Sequence, residues 1–174
     1  RLEEAAWTAA AGEVQDSSGN SRHGQALGAP LPVPATASPA RAGNPGTCGY
    51  GGFNGGALTL PVAADTTAGA KTTVSFWMYW NGANSVMPIG WFRHDLWLVS
   101  GHFGFNTANS DLFGISSAGL ANRWVHVSAM FNNGSVTSNK LYIDSVLQTL
   151  TQRLSTPALG NAVVNANLHV SGWQ

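Results

Sequence analysis

The stretch KTTVSFWMYWNG, Lys71 to Gly82, decides how this chain folds. Its apolar side chains alternate with other groups, the period of a strand rather than of a helix. Val74, Phe76, Met78 and Trp80 share one face, and Thr73, Ser75, Trp77 and Tyr79 share the other. Large apolar groups on both faces read as a central strand, covered on both sides. A second stretch, RWVHVSAMFNNG from Arg123 to Gly134, repeats the period. There Val125, Val127, Ala129 and Phe131 form an apolar stripe, while Trp124, His126, Ser128 and Met130 lie opposite, on a face where a ligand can lie.

Outward from these two, Tyr50 to Val62, Val86 to Ser100, Gly101 to Thr107, Asp111 to Ser117, Lys140 to Leu150 and Asn165 to Trp173 read as further strands, punctuated by Gly, Asn and Pro. Short strands at this spacing predict an all-β chain, a two-sheet antiparallel sandwich. The opening RLEEAAWTAAA, Arg1 to Ala11, is rich in Glu and Ala, yet its Leu2, Ala5, Ala6 and Trp7 fit a strand nearly as well as a helix. Ala29 to Pro45 holds five prolines in seventeen residues and reads as an extended loop inside the domain. At 174 residues and 44% apolar composition, the chain is expected to form one domain, 1–174, with its own core.

Charged residues make up only 9%, against about 25% in an average soluble protein. Eight basic side chains balance eight acidic ones, so the chain lacks the positive field that gathers phosphates or anionic headgroups. Neither nucleic acid nor a membrane is an expected partner, and no apolar run reaches the length of a spanning helix. The chain opens at Arg1 without a signal-peptide pattern, so an export signal would lie outside it. Cys48 is the only cysteine, which leaves it as a buried small residue or free thiol, or as half of a disulfide whose partner lies elsewhere.

Four motifs in order, DSSGNSRHG (Asp16 to Gly24), VSFW (Val74 to Trp77), WVHV (Trp124 to Val127) and LYIDS (Leu141 to Ser145), resemble the laminin-G-like, or concanavalin A-like, jelly-roll family. With RLEEAAW and CGYGGF, they look most like the copies carried by bacterial pilus-biogenesis proteins of the mannose-sensitive haemagglutinin type. The resemblance implies a jelly-roll sandwich and an extracellular, cell-surface location. It implies a non-catalytic adhesion or recognition module that binds glycan. The alternative is a structural subunit of a surface filament, a homo-oligomer or an assembly in which another chain supplies a strand. Two departures stand out. Ser145 takes the place of the usual Gly, and the family's further strand of the type F-x-G-x-I-D-E-V-x-V-Y is expected after Trp173, where this chain ends at Gln174. A sheet short of that strand would be completed by the remainder of a longer protein or by strand addition from elsewhere.

The residues themselves argue against turnover. Glycoside hydrolysis needs two carboxylates flanking the scissile bond. Here Glu3, Glu4 and Glu13 crowd the first thirteen residues, and Asp16, Asp65, Asp95, Asp111 and Asp144 are scattered singly. No G-x-S-x-G elbow marks a nucleophilic serine. Asp16 and Asn20 offer oxygens for a structural Ca²⁺, with an Asx-type turn as the alternative. His23, His94, His102, His126 and His169 lack a zinc-clamping spacing. The densest mixture of aromatic and polar groups is GWFRHDLWLVSGHFGFN, in which Trp91, Arg93, His94, Asp95, Trp97 and Asn106 form a candidate glycan site. The alternative there is that the aromatics fill the core and Arg93 pairs with Asp95.

Overall fold

The computed structural model describes residues 4–35, 49–107, 109–158 and 167–172. Cys48 and the proline-rich stretch beyond Ala35 lie outside the described residues. The strands are, in chain order, β1 (Gln25–Leu27), β2 (Val33–Ala35), β3 (Tyr50–Gly52), β4 (Ala57–Leu60), β5 (Lys71–Tyr79), β6 (Ile89–Trp91) and β7 (His94–Val99). They continue as β8 (His102–Asn106), β9 (Leu112–Ser116), β10 (Trp124–Asn132), β11 (Lys140–Ile143), β12 (Val146–Leu147), β13 (Thr151–Leu154) and β14 (Leu168–Val170). The described residues contain no α-helix, only a 3-10 turn at Val136–Ser138, so the chain is all-β as expected. No helix among them is long and apolar enough to cross a membrane. The chain divides into two compact units, Arg1–Val62 with Asn167–Gln174, and Ala63–Ala166.

In the first unit, β4 pairs antiparallel with both β1 and β14, and β2 with β3. Trp7, Val14, Ala26 and Leu58 form its core, with Leu31, Phe53, Leu60 and Val170 packed against them. Gly51 is glycine because a Cβ there would sit 2.9 Å from the Phe53 ring and 3.2 Å from the Trp7 ring. The Glu- and Ala-rich opening is neither helix nor strand over residues 4–11. Glu4 and Glu13 bond main chain across the unit instead. Glu4 accepts the Gln15 amide at 2.7 Å, and Glu13 accepts the amides of Thr8 at 2.5 Å and Ala26 at 3.2 Å. The proline-rich stretch is not all loop: β2 runs through it, with Pro34 opposite Gly51 in a two-stranded ribbon where a missing N–H is tolerated.

The second unit is an antiparallel sandwich. One layer is the sheet β12-β11-β10-β5; the other runs β6-β7-β8-β9-β13. The apolar stripe of β10 is buried as expected, with Val125, Val127 and Ala129 at 0% exposure and Phe131 at 1%. Phe131 packs edge-on to Phe105 of β8 and to Trp91 of β6, with ring centroids 4.9 and 5.9 Å away. The expectation for Lys71 to Gly82 needs correcting. Among the described residues β5 pairs with β10 alone, at the edge of its sheet, and its second face is open, with Trp77 44% and Tyr79 50% exposed. That face mixes the rings with Thr73 and Ser75, whose hydroxyls are satisfied at a wet surface and costly in an apolar core. Val86 to Ser100 is a hairpin, β6 and β7, because Arg93 takes a φ of +62°. Lys140 to Leu150 also turns back, with Asp144 at φ +50° and Ser145 at φ +71° between β11 and β12. Ser145 thus sits in a conformation that glycine adopts without strain.

Candidate functional site

Hydrogen-bond parity decides which side chains of the second unit can meet a ligand. Residues directly opposite in an antiparallel pair share a face. In the layer containing β6 to β8, Trp91 lies opposite His94 and Leu96 opposite Phe105, facing Phe131. Trp91 is 2% exposed and His94 7%, and the His94 ring lies 4.6 Å from that of Phe131. Burial pushes the His94 imidazole down to about 4 by penalising its charged form. Trp91 and His94, two of the three rings of the expected glycan site, are therefore not at the surface. They fill the core, the alternative that the sequence left open.

The polar members of that stretch separate as well. Asn106 Nδ2 donates to the carboxylate of Asp95, 1% exposed, at 3.2 Å from Oδ1 and 3.1 Å from Oδ2, across the β7–β8 pair. Gly90 faces it, and a Cβ there would lie 2.3 Å from Asp95 Cα and Cβ. Arg93, which the alternative to the glycan site paired with Asp95, lies over the exposed Phe92 ring, 5.0 Å from its centroid. Trp97 is half-buried opposite Gly104. The six residues share one hairpin region, but they do not form one surface.

The Asx-turn alternative describes Asp16. Its Oδ1 accepts the Ser18 amide at 2.8 Å and its Oδ2 the Arg22 amide at 3.0 Å, while Asn20 Nδ2 donates to Ser18 Oγ at 2.9 Å. The Ser18 side chain and amide, with the Arg22 amide, hold the carboxyl down at about 2. Ca²⁺ takes six to eight oxygens. Among the described residues no group of three or more His, Cys, Asp or Glu is placed to hold a metal ion. This donor set does not fit one.

The surface that does present aromatic groups is the outer face of the sheet β12-β11-β10-β5, where Trp124, His126, Ser128 and Met130 lie. Register places Tyr79 opposite Trp124, and Trp77 opposite His126. Ser75 lies opposite Ser128, which on its other side faces Tyr142, itself opposite Leu147. Thr73, Met130 and Lys140 form the next row. Trp77 and His126 rings are 5.2 Å apart, and Tyr79 and Trp124 rings 5.7 Å, both tilted. Between them runs a polar line: His126 Nε2 lies 3.0 Å from Ser75 Oγ, which lies 3.1 Å from Ser128 Oγ. The β10 half of this face was legible from alternation alone. Trp77, Tyr79, Tyr142 and Leu147 join it only through register, although Thr73 and Ser75, sharing the face of Trp77, mark that face as a wet one.

The Ser75–His126 contact has the length of a nucleophile and its base. The carboxylate that would orient the imidazole is engaged otherwise. Asp144 Oδ1 accepts the main-chain N–H of His126 at 3.0 Å, and Oδ2 accepts Arg123 Nη1 at 2.8 Å.

No family model, curated protein or solved structure matches this chain.

Proposed function

We propose that this chain is a non-catalytic recognition module that binds glycan on the outer face of β5, β10 and β11. The observation that carries the reading is the platform of exposed Trp77 and Tyr79 beside half-buried Trp124 and Tyr142, with Ser75, His126 and Ser128 set among them. Ring faces cover the C–H side of a pyranose, and the hydroxyls and imidazole both donate to and accept from sugar hydroxyls. With this goes the resemblance to laminin-G-like jelly rolls of pilus-associated bacterial proteins, and hence an extracellular adhesive setting.

The carboxylates support the non-catalytic part. Every acid of the described residues is already an acceptor in the fold. Glu4 and Glu13 tie the amino-terminal segment, and Asp16 its turn. Asp65 takes the Thr67 amide, and Asp95 takes Asn106. Asp111 takes the Thr107 and Asn109 amides, and Asp144 takes Arg123.

The test is a glycan array followed by calorimetric titration of the best ligand. Wild type binds, and a Trp77→Ala, Tyr79→Ala double variant loses at least about tenfold in affinity, the loss of roughly one good stacking contact. Equal binding by both proteins would remove the platform from the site.

A further inference from the structure

The outer face is not electrically uniform along its length. Lys140 lies opposite Met130, which lies opposite Thr73; Lys71 lies opposite Asn132, one row further on. Parity puts both lysines on the face that carries Trp77 and Tyr79, and both are exposed. From Trp77 to Thr73 is four residues of strand, roughly 13 Å, and to Lys71 roughly 20 Å. One end of the platform is therefore aromatic and the other ammonium-bearing.

Among the described residues no carboxylate is shown beside the two lysines. Asp144 is the carboxylate in the outer-face rows, and its charge is met by Arg123 at 2.8 Å. Asp65, whose amide donates to Thr72 Oγ1 near the lysine end, turns its own carboxylate to the Thr67 amide at 2.8 Å. In a chain with only eight basic residues, two of them share the far end of the one aromatic platform on this sheet.

Resting on the reading of the platform as a glycan site, we infer that its ligand is an acidic oligosaccharide, bearing uronic or sialic acid carboxylates. Sugar rings stack on Trp77, Tyr79 and Trp124, and a carboxylate several sugars along the chain meets Lys140 and Lys71. The span between stacking and charge requires an oligomer; a single sugar reaches one end or the other. Lysine suits this role because a compact ammonium on a flexible stem meets carboxylates at varied positions along a glycan. The contact is a surface one, so it is screened by salt.

The experiment titrates uronate and sialylated oligosaccharides, each beside its carboxyl-reduced neutral counterpart, against three intact proteins in low salt and in high salt. Wild type is expected to favour the acidic form by roughly tenfold in low salt, the yield of two exposed charge contacts, and to lose that preference in high salt. Lys71→Gln with Lys140→Gln should bring the acid-to-neutral ratio close to one while the neutral form still binds. Trp77→Ala with Tyr79→Ala should weaken both forms together. A wild-type protein that binds acidic and neutral forms alike, or a lysine variant that keeps the preference, overturns the acidic ligand and leaves the glycan platform standing. Binding of neither form of any oligosaccharide overturns both.

Discussion

Two aromatic clusters lie on opposite sides of one strand, β10. Inside, Phe131 gathers Trp91, His94 and Phe105 at centroid distances of 4.6 to 5.9 Å. Outside, Trp77 meets His126 and Tyr79 meets Trp124 at 5.2 and 5.7 Å. Ring spacing is alike in the two, and each includes a histidine. What differs is the company. The inner histidine is enclosed by rings, and burial drives its imidazole toward the neutral form. The outer one has Ser75 at its Nε2 and solvent around it. Aromatic density therefore says little about which cluster is a core and which is a surface. The step of one residue along β10 says it, because parity assigns the side chain to a layer or to water.

The sharpest way to break this contrast is to truncate the inner cluster at its hub. Phe131→Ala leaves Trp91, His94 and Phe105 without their common neighbour in a site that is 1% exposed. Chemical denaturation should show a loss of about 3–5 kcal/mol, the range for a large ring removed from a packed core. A loss under about 1 kcal/mol would mean that the two layers do not depend on this contact.

The same contrast explains what could be read before the fold was known. The strand periods at Val74 to Tyr79 and Val125 to Phe131 were enough for an antiparallel all-β chain with Phe131 inside. GWFRHDLWLVSGHFGFN does not present its aromatic and polar residues on one surface, because alternate ones face apart. Its hairpin turn at Phe92–Arg93 puts Trp91 and His94 side by side toward the core, leaving Asp95 to the opposite side. The platform was half legible. Trp124, His126, Ser128 and Met130 followed from alternation in β10, but Trp77 and Tyr142 reach that face through cross-strand pairings separated by many residues, which no local pattern encodes. The turn at Asp16 was legible as one of two alternatives, since Asp, Ser, Asn and Gly in series serve a backbone turn as readily as an ion.

The second largest effect tests the histidine difference by pH. His94 has its folded-state value depressed from 6.5 to about 4, so the unfolded chain binds the proton more readily between those values. Stability from this group is complete above about pH 6.5 and falls as pH drops toward 4, by up to roughly 3 kcal/mol. His169 is depressed by burial too and adds loss in the same direction. Melting curves from pH 7 to pH 4 should therefore slope less for His94→Leu than for wild type, with a residual slope from the remaining groups. Parallel curves for the two proteins would mean that His94 takes up its proton without opening the core.

The smallest effect sharpens the other side of the comparison. Tyr79 is half exposed and its ring touches that of Trp124 across the sheet, 5.7 Å between centroids. A cross-strand aromatic pair at a surface contributes about 0.2–1 kcal/mol. Tyr79→Ala should thus change stability by no more than about 1 kcal/mol in the denaturation that registers several for Phe131→Ala. The ratio between the two, rather than either value, carries the argument. Rings that pack a core lose stability when cut, whereas rings that water already wets lose little, and large rings set together at the surface then call for a ligand. If Tyr79→Ala cost as much as Phe131→Ala, the outer cluster would be a second core awaiting a covering layer, and the platform would have to be reassigned from ligand contact to protein packing.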